Sequence, residues 1–434
     1  MSLPKKLNVF WFRRDLRIFD NAGFFHALNQ AENVLPVFIF DTDILENLSK
    51  TDARVSFIHQ SLEAIHRQFL KVGSGLKILR GKPFDVFEEI IQEYEIAAVY
   101  TNRDYEPYGL KRDKQIGDLL KSKGIGFNTY KNQVIFEQAE IVKENGLPYL
   151  VYTPFMKRWK AVFSEEKIKD YPSENGLKNL VKNQHESFPS LQSIGFSKSE
   201  IEVPSPNLSA RLMIDYEATR NFPATIGTSF LGVHLRFGTV SIRQIVEEAT
   251  AIKNETFLNE LIWREFFMQI LWHFPETTTR SFKPAYDRIE WLNKTDDFER
   301  WKNGETGYPL VDAGMRQLNK TGWMHNRVRM VVASFLCKHL LIDWRWGEAY
   351  FAEKLLDYEL SSNVGNWQWV AGSGVDAAPY FRIFNPSEQA KKFDPDFKYI
   401  RKWVTDFDSL AYPKPMIDHT EARERCLKTY KVAL

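Results

Sequence analysis

Between Trp344 and Pro386 the chain gathers side chains that can hold a flat guest and move charge around it. The run reads Trp344-Arg-Trp346, then Asp357-Tyr-Glu-Leu-Ser-Ser-Asn363-Val-Gly-Asn-Trp367-Gln-Trp369, then Asp376-Ala-Ala-Pro-Tyr-Phe-Arg382-Ile-Phe-Asn-Pro386. An indole is large and its N–H wants a partner when buried. Tryptophans this dense, beside one isolated Asp, one Asn and one Arg, suggest a planar ligand, an electron path, or both.

Glu260-Leu-Ile-Trp263-Arg264-Glu-Phe-Phe267 is a second constellation. On a helix Glu260, Trp263, Arg264 and Phe267 share one face by i, i+3, i+4 and i+7 spacing. The indole can stack on a nucleobase, the carboxylate can accept base N–H groups and the guanidinium can meet phosphate. A core-facing Trp flanked by a surface Glu–Arg pair fits the same spacing. Trp323-Met-His-Asn326-Arg327-Val-Arg329-Met330 opens another helix, with Asn326 and Met330 on one face. Arg327 and Arg329 point elsewhere, and a buried Arg needs a carboxylate, for which Asp357 is the candidate. Solvated arginines on an amphipathic helix are the alternative. Gly227-Thr228-Ser229-Phe230-Leu231-Gly232 offers hydroxyls and backbone N–H groups at a turn, which suits phosphate, as it suits ordinary loops. Tyr216 and Arg220 precede it by a few residues.

Other patterns carry no chemistry. Gly372-Ser-Gly374-Val-Asp-Ala377 fits a dinucleotide fingerprint but follows no strand of a βαβ unit. The gap from Gly75 to Gly81-Lys82 is wrong for a phosphate loop. The histidines show no metal-ligand spacing, so no metal is expected.

The elements that must position these groups differ between the two ends of the chain. Nine of the twelve tryptophans lie between Trp263 and Trp369, and Trp11 alone falls in the first 150 residues. The first ~130 residues alternate short apolar runs with amphipathic segments. Strands are expected at Leu7–Phe12, Leu35–Phe40, Leu76–Leu79, Ala97–Thr101 and Gly126–Tyr130. Helices are expected at Arg54–Lys71, Pro83–Tyr94 and Lys111–Lys123. That order predicts an α/β domain, a doubly wound parallel sheet, over residues 1–132. Arg13-Arg14-Asp15-Leu16-Arg17 follows the first strand in place of a glycine-rich turn. Residues 133–207 read as an interdomain linker, rich in Ser, Lys, Asn and Pro from 164. Residues 208–434 read as an all-α domain, with helices at Ser241–Ala251, Thr256–Trp272, Asp312–Asn319 and Trp323–Leu341.

With 434 residues, 44% of them hydrophobic, the chain can bury two sizeable cores. Its apolar runs are too short to span a membrane and its first residues lack a signal-peptide pattern. Cys337 and Cys426 form no CxxC pair, which fits a reduced, cytoplasmic setting. The net charge of +2 leaves any nucleic-acid site to a local patch, such as residues 377–402 with six Lys/Arg against three acids. Those charges also fit an ordinary solvated surface.

Taken together, these motifs resemble one family. Trp11-Phe-Arg-Arg-Asp-Leu-Arg17, Gly307-Tyr-Pro-Leu-Val-Asp-Ala-Gly-Met-Arg316, Gly322-Trp-Met-His-Asn-Arg-Val-Arg-Met330 and the Trp367–Pro386 run occur in the order of the photolyase/cryptochrome flavoproteins. The chain is similar to their class I cyclobutane pyrimidine dimer photolyases. The resemblance implies an α/β antenna domain, a helical FAD domain, and light-driven repair of UV-damaged DNA by electron transfer from reduced FAD, performed by a monomer. It implies that Tyr216, Thr228, Ser229, Phe230, Leu231 and Gly232 cradle the FAD chain. Arg329 and Asp357 then partner the isoalloxazine, together with Glu359, where the family more often has Asp. Asn363 faces the reactive flavin nitrogen, a place where plant cryptochromes carry Asp. Glu260, Trp263, Asn326, Met330 and Trp369 form the dimer pocket. Arg220, Arg264, Arg327, Arg382 and Gln389 contact DNA. Trp291, Trp344 and Trp367 carry electrons from the surface to the flavin.

The (6-4) photolyases have histidines where this chain has Asn326 and Met330, which favours cyclobutane dimers. A cryptochrome-type photoreceptor and a (6-4) photolyase are the rival readings. A second antenna chromophore is also implied. At the family's folate positions this chain has Thr277-Thr278 and Gly109, so a deazaflavin, a flavin nucleotide or none stay open.

Overall fold

The computed structural model describes residues 6–30, 33–165, 168–182, 187–252 and 254–434. The chain folds into two units that interleave along the sequence. One holds residues 1–137, 163–204 and 231–248, and the other holds 138–162, 205–230 and 249–434.

The first unit is built on five parallel strands: β1 (Leu7–Phe12), β2 (Val34–Asp41), β3 (Lys77–Gly81), β4 (Ile96–Asn102) and β5 (Gly126–Tyr130). Their order is β3-β2-β1-β4-β5. Every residue of β2 is buried, as expected of a parallel strand covered on both faces. Val9 of β1 sits between Leu35 of β2 and Val99 of β4, which centres the apolar core on the sheet. The covering helices Ala53–Leu70, Pro83–Glu93 and Pro107–Ser122 begin where local chemistry starts a helix. Asp52 accepts the Arg54 N–H at 2.8 Å, and the other two open on proline.

The expected strands and helices thus lie close to the observed ones. The sequence reading had no element at the helix Ala22–Gln30, whose start is held by Asn21 Oδ1 accepting from Phe24 N at 3.2 Å. The arginines after β1 fill the crevice at the strand ends with ion pairs. Arg14 meets Asp104 at 3.3 Å, and Arg13 pairs with Asp113. The guanidinium groups of Arg13 and Arg112 both lie over the Trp11 ring, at 4.8 and 5.0 Å.

Within the 133–207 stretch, residues 166, 167 and 183–186 lie outside the described residues, as do residues 1–5 at the start. The rest of the stretch includes the helix Tyr152–Glu165, which buries Phe155 and Trp159. Trp159 Nε1 donates to Glu265 Oε1 at 2.7 Å, tying that helix into the second unit.

The second unit packs helices Glu255–His273, Pro309–Thr321, Asn326–Ser334, Trp344–Lys354 and Leu360–Ala371 around Trp301, Met315, Phe335, Leu336, Trp344 and Trp367. The expected single helix Trp323–Leu341 is shorter and changes pitch. His325 caps its start, accepting the Arg327 N–H at 3.1 Å, and its end widens into a π-turn over Phe335–His339. Asp312, inside the Gly307–Arg316 motif, is fully buried and accepts from Thr306, Gly307 and Tyr412, so its role is to fold the chain. Among the described residues no helix is long and apolar enough to cross a membrane.

Candidate active site

Three helices of the second unit converge on a cavity of about 360 Å³, within the range usual for small-molecule sites. Glu255–His273 contributes Glu260, Trp263, Arg264 and Phe267, the face expected from spacing. Asn326–Ser334 contributes Asn326, Arg329 and Met330. Leu360–Ala371 contributes Asn363, Trp367 and Trp369, and the loop before it contributes Asp357 and Glu359. Arg220 completes the rim.

Charge in the cavity is organised in pairs. Arg329 donates to Asp357 Oδ2 at 2.8 Å and to the Met324 carbonyl at 2.7 Å. Asp357 Oδ1 is buried without a partner, so it is an acceptor aimed at whatever fills the space. Arg264 donates to Glu359 at 3.0 Å, with both side chains largely buried. Arg264, expected at DNA, thus lines the cavity with its guanidinium held by Glu359. Arg220 pairs with Glu260 across the rim. Asn363 Nδ2 donates to Glu348, to the carboxyl at 2.9 Å and the backbone carbonyl at 3.1 Å. Oδ1 is therefore the atom of that amide left for the cavity. Burial pushes the Glu348 carboxyl up, against the Asn363 N–H bond that favours its ionised form.

Two flat walls face this space. Trp263 is held by Tyr152, stacked on it at 3.6 Å and 7° between planes, and Trp369 lies on the opposite helix. Sequence reasoning missed Tyr152 and Glu348. Glu348 follows Trp344 by one helical turn, a spacing that could have flagged it. Tyr152 lies more than 100 residues from Trp263 with no local signal.

The remaining candidates lie away from the cavity lining. Tyr216 packs edge-on to Phe257, and burial, with the Glu260 charge, pushes its phenol up to about 12. Thr228, Ser229 and Phe230 belong to the helical unit, while Leu231 and Gly232 fall in the other. Phe230 has φ of +55°, a rare conformation for a bulky residue and one that clusters at binding sites. Arg327 reaches Asn221 at 2.7 Å and lies over Phe393. Arg382 is exposed, and Gln389 keeps its Oε1 without a partner.

The three candidate electron carriers share one core. Trp367 lines the cavity and is buried, Trp344 is buried, and Trp291 is partly exposed, all within the same cluster. Trp367 also lies 6.3 Å from Trp301, a neighbour the sequence reading did not assign. The histidine beside the cavity, His325, is held down at about 4 by burial and by Arg329, Arg327 and Arg220, so it is neutral near pH 7.

The residues present fit FAD: flat aromatic walls, a buried unpartnered carboxylate oxygen beside a guanidinium, and an amide oxygen. Comparison with known proteins agrees. The model of the family described as DNA photolyase matches residues 8–173, and that described as FAD binding domain of DNA photolyase matches 257–411. A deoxyribodipyrimidine photo-lyase of Synechococcus sp. is 36% identical, covering 95% of this chain and 93% of its own. The solved structure of a bacterial class III photolyase from Agrobacterium tumefaciens superposes with a TM-score of 0.86 at 33% identity, covering 100% of this chain and 98% of its own. An archaeal photolyase from Sulfolobus tokodaii, solved with two FAD molecules, gives 0.84 at 33%, covering 98% of this chain and 100% of its own.

Proposed function

The chain belongs to the DNA photolyase family, and we propose that it repairs cyclobutane pyrimidine dimers in DNA with light, with FAD as cofactor. The observation that carries this reading is a single cavity shared by two sets of residues. Arg329, Asp357 and Asn363 suit the flavin, and Glu260, Trp263, Asn326, Met330 and Trp369 suit the lesion.

FAD, in its reduced and light-excited form, would supply the electron that opens the dimer and that returns once the ring is open. The protein's own part is binding, orientation and exclusion of water. A dimer distorts the duplex, so flipping it out costs less than flipping an intact pair. Trp263 and Trp369 offer faces to the flipped bases in place of the lost stacking. Glu260, oriented by Arg220, accepts from base N–H groups, and the Asn326 amide serves their carbonyl edges. Arg329 and Asp357 would hold the flavin, and Asn363 Oδ1 is the amide atom available to meet it. Phosphate contact falls to Arg327, Arg382 and Gln389, while Arg264 braces Glu359.

Repair of a (6-4) lesion needs proton transfer, and the neutral His325 is a poor acid at pH 7. The class I reading rests on motif content. On this reading the protein works as a cytoplasmic monomer. Residues 208–434 carry catalysis and residues 1–132 gather light, with absorbance beyond that of FAD reporting any second chromophore.

The test is paired. Reduced protein is irradiated with oligonucleotides bearing either lesion, and restored thymines are counted. Restoration from the cyclobutane dimer alone is expected. Restoration from the (6-4) lesion alone would overturn the pocket assignment, and restoration from neither would favour a photoreceptor.

A further inference from the structure

Away from the lesion cavity, the helical unit buries a lysine whose partners are backbone carbonyls. Lys338 lies in the π-turn Phe335–His339 and is fully buried. Its Nζ donates to the Ala371 carbonyl at 2.9 Å and the Tyr380 carbonyl at 3.2 Å, and sits 3.9 Å from the centre of the Tyr430 ring. Two carbonyls and one ring surround the amine, so it can keep both hydrogen bonds with or without its third proton. Among the described residues no carboxylate pairs with it. Its neighbours Cys337 and Cys426 are thiols whose pKa values burial pushes up, so they bring no counter-charge. The compensation is dipolar, because Ala371 is the last residue of the helix Leu360–Ala371 and presents the negative end of that helix.

The two carbonyls bracket one loop. Ala371 ends the helix that carries Asn363, Trp367 and Trp369. Tyr380 precedes Phe381 and Arg382, which point into solvent. Between them the loop is tied to both walls of the cavity. Ala378 N donates to the Trp369 carbonyl at 3.3 Å. The Asp376 carboxylate accepts the Tyr152 N–H at 3.0 Å, and the Tyr152 ring is stacked on Trp263. Asp376 reaches that position with φ of +46°, a conformation that must be held by its surroundings.

We infer that Lys338 is a positioning residue for the lesion cavity: by clamping both ends of the 372–380 loop it fixes the spacing of Trp369 and, through Asp376 and Tyr152, of Trp263. An apolar side chain there would fill the volume but leave two buried carbonyls without a donor. The inference rests on the functional reading above only where DNA is the probe.

Lys338→Met keeps length and removes every donor. The concentration of dimer-bearing oligonucleotide giving half-maximal repair should rise about tenfold, with FAD content, repair at saturating DNA and affinity for undamaged DNA within about twofold of wild type. A loss of FAD and repair in proportion, or an unchanged half-saturation, overturns the inference. Without DNA, amide exchange in residues 373–380 should quicken in the variant, and unchanged exchange there also overturns it.

A pH profile tests the clamp in wild type, whether or not the variant folds. Burial holds Lys338 down at about 8. If the loop opens to water the amine regains a higher pKa, so the open form binds the proton more tightly than the closed form. Rising pH therefore favours closure. Protection of the loop amides, corrected for intrinsic exchange, should increase from about pH 7.5 to about 9.5. The other ionisable groups facing this region are Cys337, Cys426, Tyr286, Tyr380, Tyr430, Asp343, Asp376, Arg425 and Lys283. Lys283 also donates to the loop, at Gly372, and its pKa is lowered too, so Lys283→Met is the control and should retain the increase. A flat wild-type profile, or an increase that vanishes in Lys283→Met, overturns the inference. Wild type that shows the increase yet never prefers dimer-bearing DNA would fail the functional reading and leave the clamp supported.

Discussion

The two carboxylate oxygens of Asp357 have different partners. Oδ2 accepts from Arg329 at 2.8 Å, and Oδ1 is buried and unpartnered. A buried acceptor without a donor costs stability unless a ligand supplies one. Asp357→Asn, which keeps an acceptor and loses the charge, should weaken FAD binding about tenfold, and Asp357→Ala more, because Arg329 then faces the cavity without its counter-ion. Flavin absorbance per protein after gel filtration measures this, and stoichiometric FAD on Asp357→Ala would remove Asp357 from the site. Trp367 allows a second test. It lines the cavity, and Trp344 in the same core has an indole N–H with no acceptor, so an oxidised Trp344 would keep its proton and could pass the charge outward. Trp367→Phe should retain FAD, slow its light-driven reduction by an external thiol more than about tenfold, and still repair when reduced chemically in the dark. Photoreduction at the wild-type rate would discard the route. The sequence made Asp357, Asn363 and Trp367 legible because they sit in one short run. It gave no sign that Arg264 would pair with Glu359, 95 positions away, because ion-pair choice over that distance is settled only by packing.

Secondary structure was legible wherever one period ran uninterrupted. The central strands β1, β2 and β4 were visible as apolar runs, since a parallel strand inside the sheet is buried on both faces, whereas the edge strands β3 and β5 are only partly buried. The helix Ala22–Gln30 was not, because it is short and its start depends on the buried Asn21 cap. The π-turn at Phe335–His339 was also invisible, since a change of pitch leaves the apolar pattern nearly continuous. What sets the width of the cavity is how closely helices approach each other, and here glycine decides. A Cβ on Gly365 would lie 2.2 Å from the Phe267 ring, and one on Gly347 would lie 2.1 Å from Trp367. Gly365→Ala should therefore push the helices Glu255–His273 and Leu360–Ala371 apart. Overpacking of this kind costs roughly 1–3 kcal/mol. Because Phe267 and Asn363 line the same space, FAD affinity should fall along with the melting temperature. A variant that melts early but binds FAD as wild type does would show that the cavity tolerates the wider spacing.

At the scale of the whole chain, the two cores differ in composition. The α/β unit is centred on aliphatic strand residues with Trp11. The helical unit holds the tryptophan-rich core, and its cavity of about 360 Å³ opens directly onto that core. A ligand that binds only the folded state stabilises whatever must be folded to hold it, by about 4 kcal/mol at a thousandfold excess over its Kd. FAD should therefore act mainly on the helical unit. The sequence foresaw an α/β and a helical half but not their interleaving, because residues 138–162 and 231–248 each join a unit that is distant in sequence. Such exchange leaves no mark in composition; it depends on contacts such as Trp159 with Glu265. The expected outcome on removing FAD is a lower melting temperature read by tryptophan emission, which reports the helical unit. Amide exchange in β1, β2 and β4 should change far less. Equal loss of protection in those strands would mean that the two cores unfold as one, and that the flavin supports the whole fold rather than its helical part.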